Sequence, residues 1–235
     1  MHRTSTKSAF WDGLRSGAPF LLIVGPFGML FGVVGTEAGL NLSQVMVMTI
    51  LVIAGSSQFT AVQLMSENAP SVIVLLTALA VNLRMAMYSA SLVPHLGAAP
   101  FWQRALISYL NVDQAYALSI ARYEREPGMP LPDKIAFFMG VMALVAPLWY
   151  ATTYIGAVVG QGIPPQYALD FALPITFIAL VAPAIKSLPH LVAAFISGAL
   201  TLAFIGLPAG IGLLLAAVIA MTAGAELEAW LERRT

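Results

Sequence analysis

The chain has 235 residues, 59% hydrophobic and 9% charged, with mean hydropathy +0.85 and formal net charge zero. A soluble domain carries about a quarter charged residues, so this composition specifies an integral membrane protein and offers no basic face for nucleic acid. The absence of cysteine excludes disulfides, thiol chemistry and Cys-ligated metals.

A crossing helix needs about 20 apolar residues. Residues 16–36 form the first such run, and Pro19, Pro26 and several glycines predict a kinked or partly unwound helix. No cleavage site follows the polar N-terminus, so this run is read as a retained helix rather than a signal peptide. Residues 42–65 form the second, interrupted at Gly55-Ser56-Ser57-Gln58. Residues 70–93 form the third and carry Asn82 and Arg84 past their middle. Residues 104–121 are a weaker run containing Asn111, Asp113 and Gln114, able to cross fully or to enter partway. A charged, proline-rich loop, 122–134, divides the chain nearly in half. Residues 135–160 and 168–185 supply a fifth and sixth span. The uncharged run 187–225 is too long for one helix and splits near Gly206-Leu207-Pro208.

The expectation is a single all-α, polytopic membrane domain over 1–235, its halves about 12–121 and 135–225 joined by loop 122–134. Eight spans are counted, with seven as the rival. With eight and both termini cytoplasmic, Arg3, Lys7, Arg15, Arg122, Arg125, Lys134, Lys186, Arg233 and Arg234 lie inside and Arg104 alone outside. A possible internal repeat sets Val33-Val34-Gly35 over Val158-Val159-Gly160, and the same offset sets Gly55–Gln58 over residues 180–183. Trp11, Trp102, Trp149, Tyr150 and Trp230 are read as an interfacial belt.

Polar groups inside a bilayer need partners, so these interruptions are the candidate site. A break at Gly55–Gln58 exposes backbone N–H groups at a helix start, which suit a carboxylate, and Ser56, Ser57 and Gln58 add hydrogen bonds. The alternative is that small residues there simply allow close helix packing. Arg84 suits a substrate carboxylate, but also a structural pair with Asp113 or snorkelling to an interface. Asn82 orients backbone or substrate, and Asn111 joins the binding set. Asp113 can accept a substrate ammonium or exchange a proton. The three histidines lack metal-ligand spacing. There is no GxxxxGK[ST] loop for ATP and no convincing nucleophile–base set, so neither a cofactor nor an enzyme is implied.

Asp12-Gly-Leu-Arg-Ser-Gly-Ala-Pro19, Ala54-Gly-Ser-Ser-Gln-Phe59 and Asn82-Leu-Arg84 with Tyr88 make the sequence resemble the AzlC family, the large subunit of two-component branched-chain amino-acid exporters. Where that family tends to carry an Asp-Glu pair, this chain has Asp113-Gln114, which weakens a two-carboxylate proton site. The resemblance implies a secondary transporter of the bacterial inner membrane. Its substrates would be valine, leucine and isoleucine, its driving force the proton gradient, and its partner a small AzlD-like membrane subunit. Competing readings are a passive channel or a transporter for another small anion, and a non-transporting scaffold.

Overall fold

A computed structural model describes residues 6–162, 187–207 and 211–233, all helices and connecting turns. Helix α1 (Thr6–Gly17) passes through one 3-10 turn at Ala18–Phe20 into α2 (Leu21–Glu37). Pro19, which lacks an N–H, sits in that turn, and Pro26 lies within α2. A rod of 32 residues results. Alongside it lies α8 (Leu131–Gln161).

Glycine lets these rods touch backbone to backbone. A Cβ at Gly13, Gly32, Gly140 or Gly156 would run into the main-chain carbonyl of Phe137, Thr153, Phe10 or Met29 respectively. Residue numbers rise together along both rods, from Gly13 beside Phe137 to Val33 beside Gly160, so they are parallel. Chain reversal between them therefore needs an odd number of complete crossings.

The chain after α2 enters and returns. Asn41 starts α3 (Leu42–Leu51) with a capping box, its side chain accepting from the Gln44 N–H while Gln44 accepts from the Asn41 N–H, each at 2.9 Å. Val45 lies against Gly35, and the Trp149 indole donates to Thr49 at 2.7 Å. Helix hydrogen bonding stops at residues 52–54 and resumes in α4 (Gly55–Ser66). Gly55 faces Phe27 and Trp149, but Phe59, one turn on, touches Phe27 and Phe31, with ring centroids 5.1 and 5.5 Å apart. Helix α4 thus heads back toward the C-terminal end of α2, where α3 began.

Helix α5 (Ser71–Leu96) is a continuous candidate span. Helix α6 (Phe101–Tyr109) then runs back along it, Arg104 facing the Leu96–Gly97 end of a shared cavity and Asn111 facing Ser89. After a break at 110–112, α7 (Asp113–Arg125) reverses again. Asp113 meets Arg84, Tyr116 stacks on Tyr88 at 4.1 Å, and Tyr123 lies 5.3 Å from His95. Both ends of this second hairpin lie at the C-terminal end of α5.

The two hairpins share a hydrogen-bond pattern. In the first, Val52 N donates to Met48 O, Ala54 N to Val52 O and Gln58 N to Ala54 O. Adding 58 to each number gives Leu110 to Leu106, Val112 to Leu110 and Tyr116 to Val112, all present at 2.8–3.0 Å. The two breaks thus share one local hydrogen-bond pattern, each joining a pair of short helices.

These observations bear on several expectations. The runs 42–65 and 104–121 are pairs of short helices. At 1.5 Å per residue each helix is about 14–20 Å long, short of a hydrocarbon core of about 30 Å. The described residues hold four helices long and apolar enough to cross: Thr6–Glu37, Ser71–Leu96, Leu131–Gln161 and Ile211–Leu231. The count of seven to eight is not reached among them, and the predicted span 168–185 lies outside the described residues. The first break falls at 52–54, ahead of Gly55–Gln58, which form the first turn of α4. Val33–Gly35 and Val158–Gly160, aligned in the possible repeat, lie on two helices packed side by side, and the aligned segment 180–183 lies outside the described residues. Loop 122–134 shortens to 126–130, because α7 and α8 extend into it. Trp149 is buried against Thr49 rather than interfacial.

The chain divides into two compact units: residues 1–62 with 78–164, and 63–77 with 165–235. In the second, α9 (Leu188–Ala203) and α10 (Ile211–Glu232) form an antiparallel pair, Gly212 against Phe204 and Gly224 against Pro189 and Ala193. The turn at Phe204–Leu207 divides the long apolar run where Gly206 predicted.

Candidate functional site

The tips of the two hairpins meet. The Tyr109 hydroxyl at the end of α6 donates to the Ile50 carbonyl at the end of α3 and lies 2.7 Å from the Tyr150 hydroxyl of α8. On the other side of each break, the first turns of α4 and α7 converge on Arg84, near the midpoint of α5. The Arg84 guanidinium donates to Ser56 Oγ at 2.6 Å and pairs with Asp113 Oδ2 at 3.3 Å, both through Nη2. The pair is partly open, with side-chain exposures of 32% and 43%.

Of the predicted residues, Ser56, Arg84 and Asp113 are brought into one cluster. Ser57 is buried and donates to the Ala78 carbonyl at 3.0 Å, which ties α4 to α5. Gly55 packs between Phe27 and Trp149, a contact in which a Cβ would come within 3.0 Å of either ring. Gln58 is fully buried, and neither amide atom has a hydrogen-bond partner. Asn82 Oδ1 is likewise buried and unpartnered. Asn111 sits in the second break, donating to Ser89 Oγ at 3.2 Å and leaving Oδ1 unpartnered.

Sequence reasoning missed Tyr88, Tyr116, Tyr109 and Ser89 as site residues. Tyr116 donates to Ser91 at 3.1 Å while its ring covers Tyr88, giving the cluster an aromatic wall. A cavity of about 200 Å³ begins at Ser89 and Asn111 and follows α5 and α6 past Val93, Ile107 and Ser108 to Arg104.

The site holds donors and an acceptor side by side. Each half-helix start carries about half a positive charge. Two such ends and Arg84 face the single carboxylate of Asp113, while the C-terminal ends of α3 and α6 bring comparable negative charge to the other side of each break. The first N–H groups of α4 and α7 have no carbonyl a turn earlier to bind and are free to act as donors.

Residues 19–163 match the family described as AzlC protein. The chain belongs to the AzlC family. That match covers α2 to α8, and so both hairpins and the cluster at their tips. Among its AzlC-like relatives is an uncharacterized membrane protein of Archaeoglobus fulgidus, 27% identical over 215 residues, 87% of this chain and 88% of that protein. An uncharacterized membrane protein of Helicobacter pylori is 25% identical over 173 residues, 73% of this chain and 74% of that one. The inner membrane protein YgaZ of Escherichia coli is 24% identical over 184 residues, 74% of this chain and 73% of YgaZ. No solved structure matches this AzlC chain.

At the α5 C-terminal end a second polar cluster closes the bundle. Thr6 donates to Asp133 at 2.8 Å, and Arg122 pairs with Asp12 at 3.8 Å and Glu126 at 3.2 Å. Asp133 and Lys134, read from sequence as loop residues, are buried. Tyr123 donates to the Lys134 carbonyl at 2.7 Å, and burial pushes its phenol well above the ordinary range, so it stays a neutral donor.

Proposed function

We propose that this chain is the large subunit of a secondary exporter that moves valine, leucine and isoleucine across the bacterial inner membrane with a small AzlD-like partner. The observation that carries the reading is the Arg84 guanidinium between the starts of two half-helices, with Asp113 beside it. A zwitterionic amino acid matches that field. Its carboxylate takes Arg84 and the free N–H groups of α4 and α7, and its ammonium takes Asp113. Gln58, Asn82 and Asn111 supply unmet polar atoms within or next to the breaks. Asp113 is also the group that would take up the coupling proton, since substrate and proton then compete for one carboxylate. In this reading Arg84 and Asp113 pair when the site is empty and part when substrate arrives.

The test is flux. Protein with and without its partner is reconstituted into vesicles, and labelled valine, leucine and isoleucine are followed with and without a pH gradient. Gradient-dependent flux that needs the partner and falls at least tenfold in Arg84→Ala is expected. No flux of all three by a folded complex would sink the branched-chain assignment.

A further inference from the structure

The two hairpins copy each other's backbone but not their surroundings. Helix α6 stands off α5, leaving the cavity that runs from Asn111 and Ser89 to Arg104, while α7 packs on α5 through Tyr116 and Tyr123. Hairpin α3–α4 does not stand off α2. Val45 is fully buried with its side chain in the notch of Gly35, where an added Cβ would lie 3.0 Å away, and Val34 and Thr49 are sealed as well. One hairpin leaves a cavity against its span and the other is packed tightly against its own.

Charge distinguishes those ends. Lys7, Arg15, Arg104, Arg122, Arg125 and Lys134 all belong to the end where α1 begins and α5 finishes. The α2–α3 turn at the other end carries no Lys or Arg. A re-entrant α6–α7 places Arg104 with the other cations, so the one exception to the charge asymmetry disappears.

We propose that the hairpins are opposed gates onto the Arg84 site, with the α5–α6 cavity as its open route to the cation-bearing, cytoplasmic face. The sealed α2–α3 contact is then the closed route to the opposite face. The inference rests on the transporter reading for what passes through the route. The occupant is a small zwitterion with an apolar side chain. The route is walled by Val93 and Ile107, floored by Ser89, Ser108 and the unpartnered, buried Oδ1 of Asn111, and rimmed by Arg104. The shared backbone pattern of the two breaks makes the opposite state available, each hairpin taking the packing the other now has.

The cysteine-free chain suits accessibility labelling. Single variants Ala98→Cys, Gly128→Cys and Leu40→Cys are reacted with a membrane-impermeant maleimide in vesicles of known orientation. Ala98 and Gly128 are expected to label from the cytoplasmic side, and Leu40 from the other. Labelling of Ala98 and Gly128 from opposite sides would show α6–α7 to be a crossing and overturn the proposal. Ser108→Cys is expected to react from the Ala98 side at least tenfold faster than Val45→Cys. Ala90→Cys, also lining the cavity, supplies the same comparison should Ser108→Cys fold poorly. Equal rates at both positions would overturn the open-and-shut assignment. Labelling needs no flux, so the gates stand or fall separately from the valine assay.

Discussion

Gln58 shows what a single residue contributes here. A buried polar group without a partner costs about 1–3 kcal/mol, and both ends of this amide are unpartnered. If its purpose is transport, removing the polarity helps the fold and harms the function. Gln58→Met is therefore expected to raise the unfolding midpoint in detergent while lowering flux at least severalfold, with the two read on the same preparation. Arg84 makes a complementary case. Lysine keeps the charge but loses the planar fork, which matters if substrate binds bidentately and not if the charge merely balances Asp113. Arg84→Lys is expected to assemble normally and to transport at less than a tenth of the parent rate.

Among the elements, the glycine contacts and the breaks decide the architecture. A Cβ at Gly32 meets the Thr153 carbonyl and the Ala157 nitrogen, both main chain, so neither can swing aside. Gly32→Ala is expected to cost about 1–3 kcal/mol by overpacking, and Gly128→Ala, which meets nothing within 4 Å, should be nearly neutral. Thermal unfolding of both variants checks the contrast. The breaks have a different origin. Val112 holds extended backbone and Val52 leaves the helical region at φ −128° and ψ 88°, conformations that β-branched residues accept readily, but neither Val52-Ile53-Ala54 nor Leu110-Asn111-Val112 contains a glycine or proline that demands the break. Packing of Phe59 on Phe27 and Phe31, and of Tyr116 on Tyr88, turns the second half of each hairpin back.

For the molecule as a whole, the parallel rods α1–α2 and α8 impose a parity rule. If the two broken segments both return, α5 alone lies between the rods and the count is odd, as parallel packing requires. If only one returned, the rods would be antiparallel. Ser8→Cys and Gly128→Cys are therefore expected to react from the same side of oriented vesicles, a result that checks the parity apart from either hairpin.

Composition alone determined that this is a helical membrane protein, because too few charged residues are present to cover a soluble surface. The order of polar interruptions pointed to Ser56, Arg84, Asn111 and Asp113, because such groups inside long apolar runs need partners. Apolar runs carry no sign of direction, however. A run of 24 apolar residues that crosses and one that turns back at its middle bury similar surface and differ only in what flanks them. Contacts of Phe59, Tyr116 and Tyr123 with particular turns of neighbouring helices settled that choice. The likeness of the two breaks was hidden for the same reason, since they share backbone hydrogen bonds while Gly55-Ser56-Ser57 aligns with Asp113-Gln114-Ala115 with no residue in common.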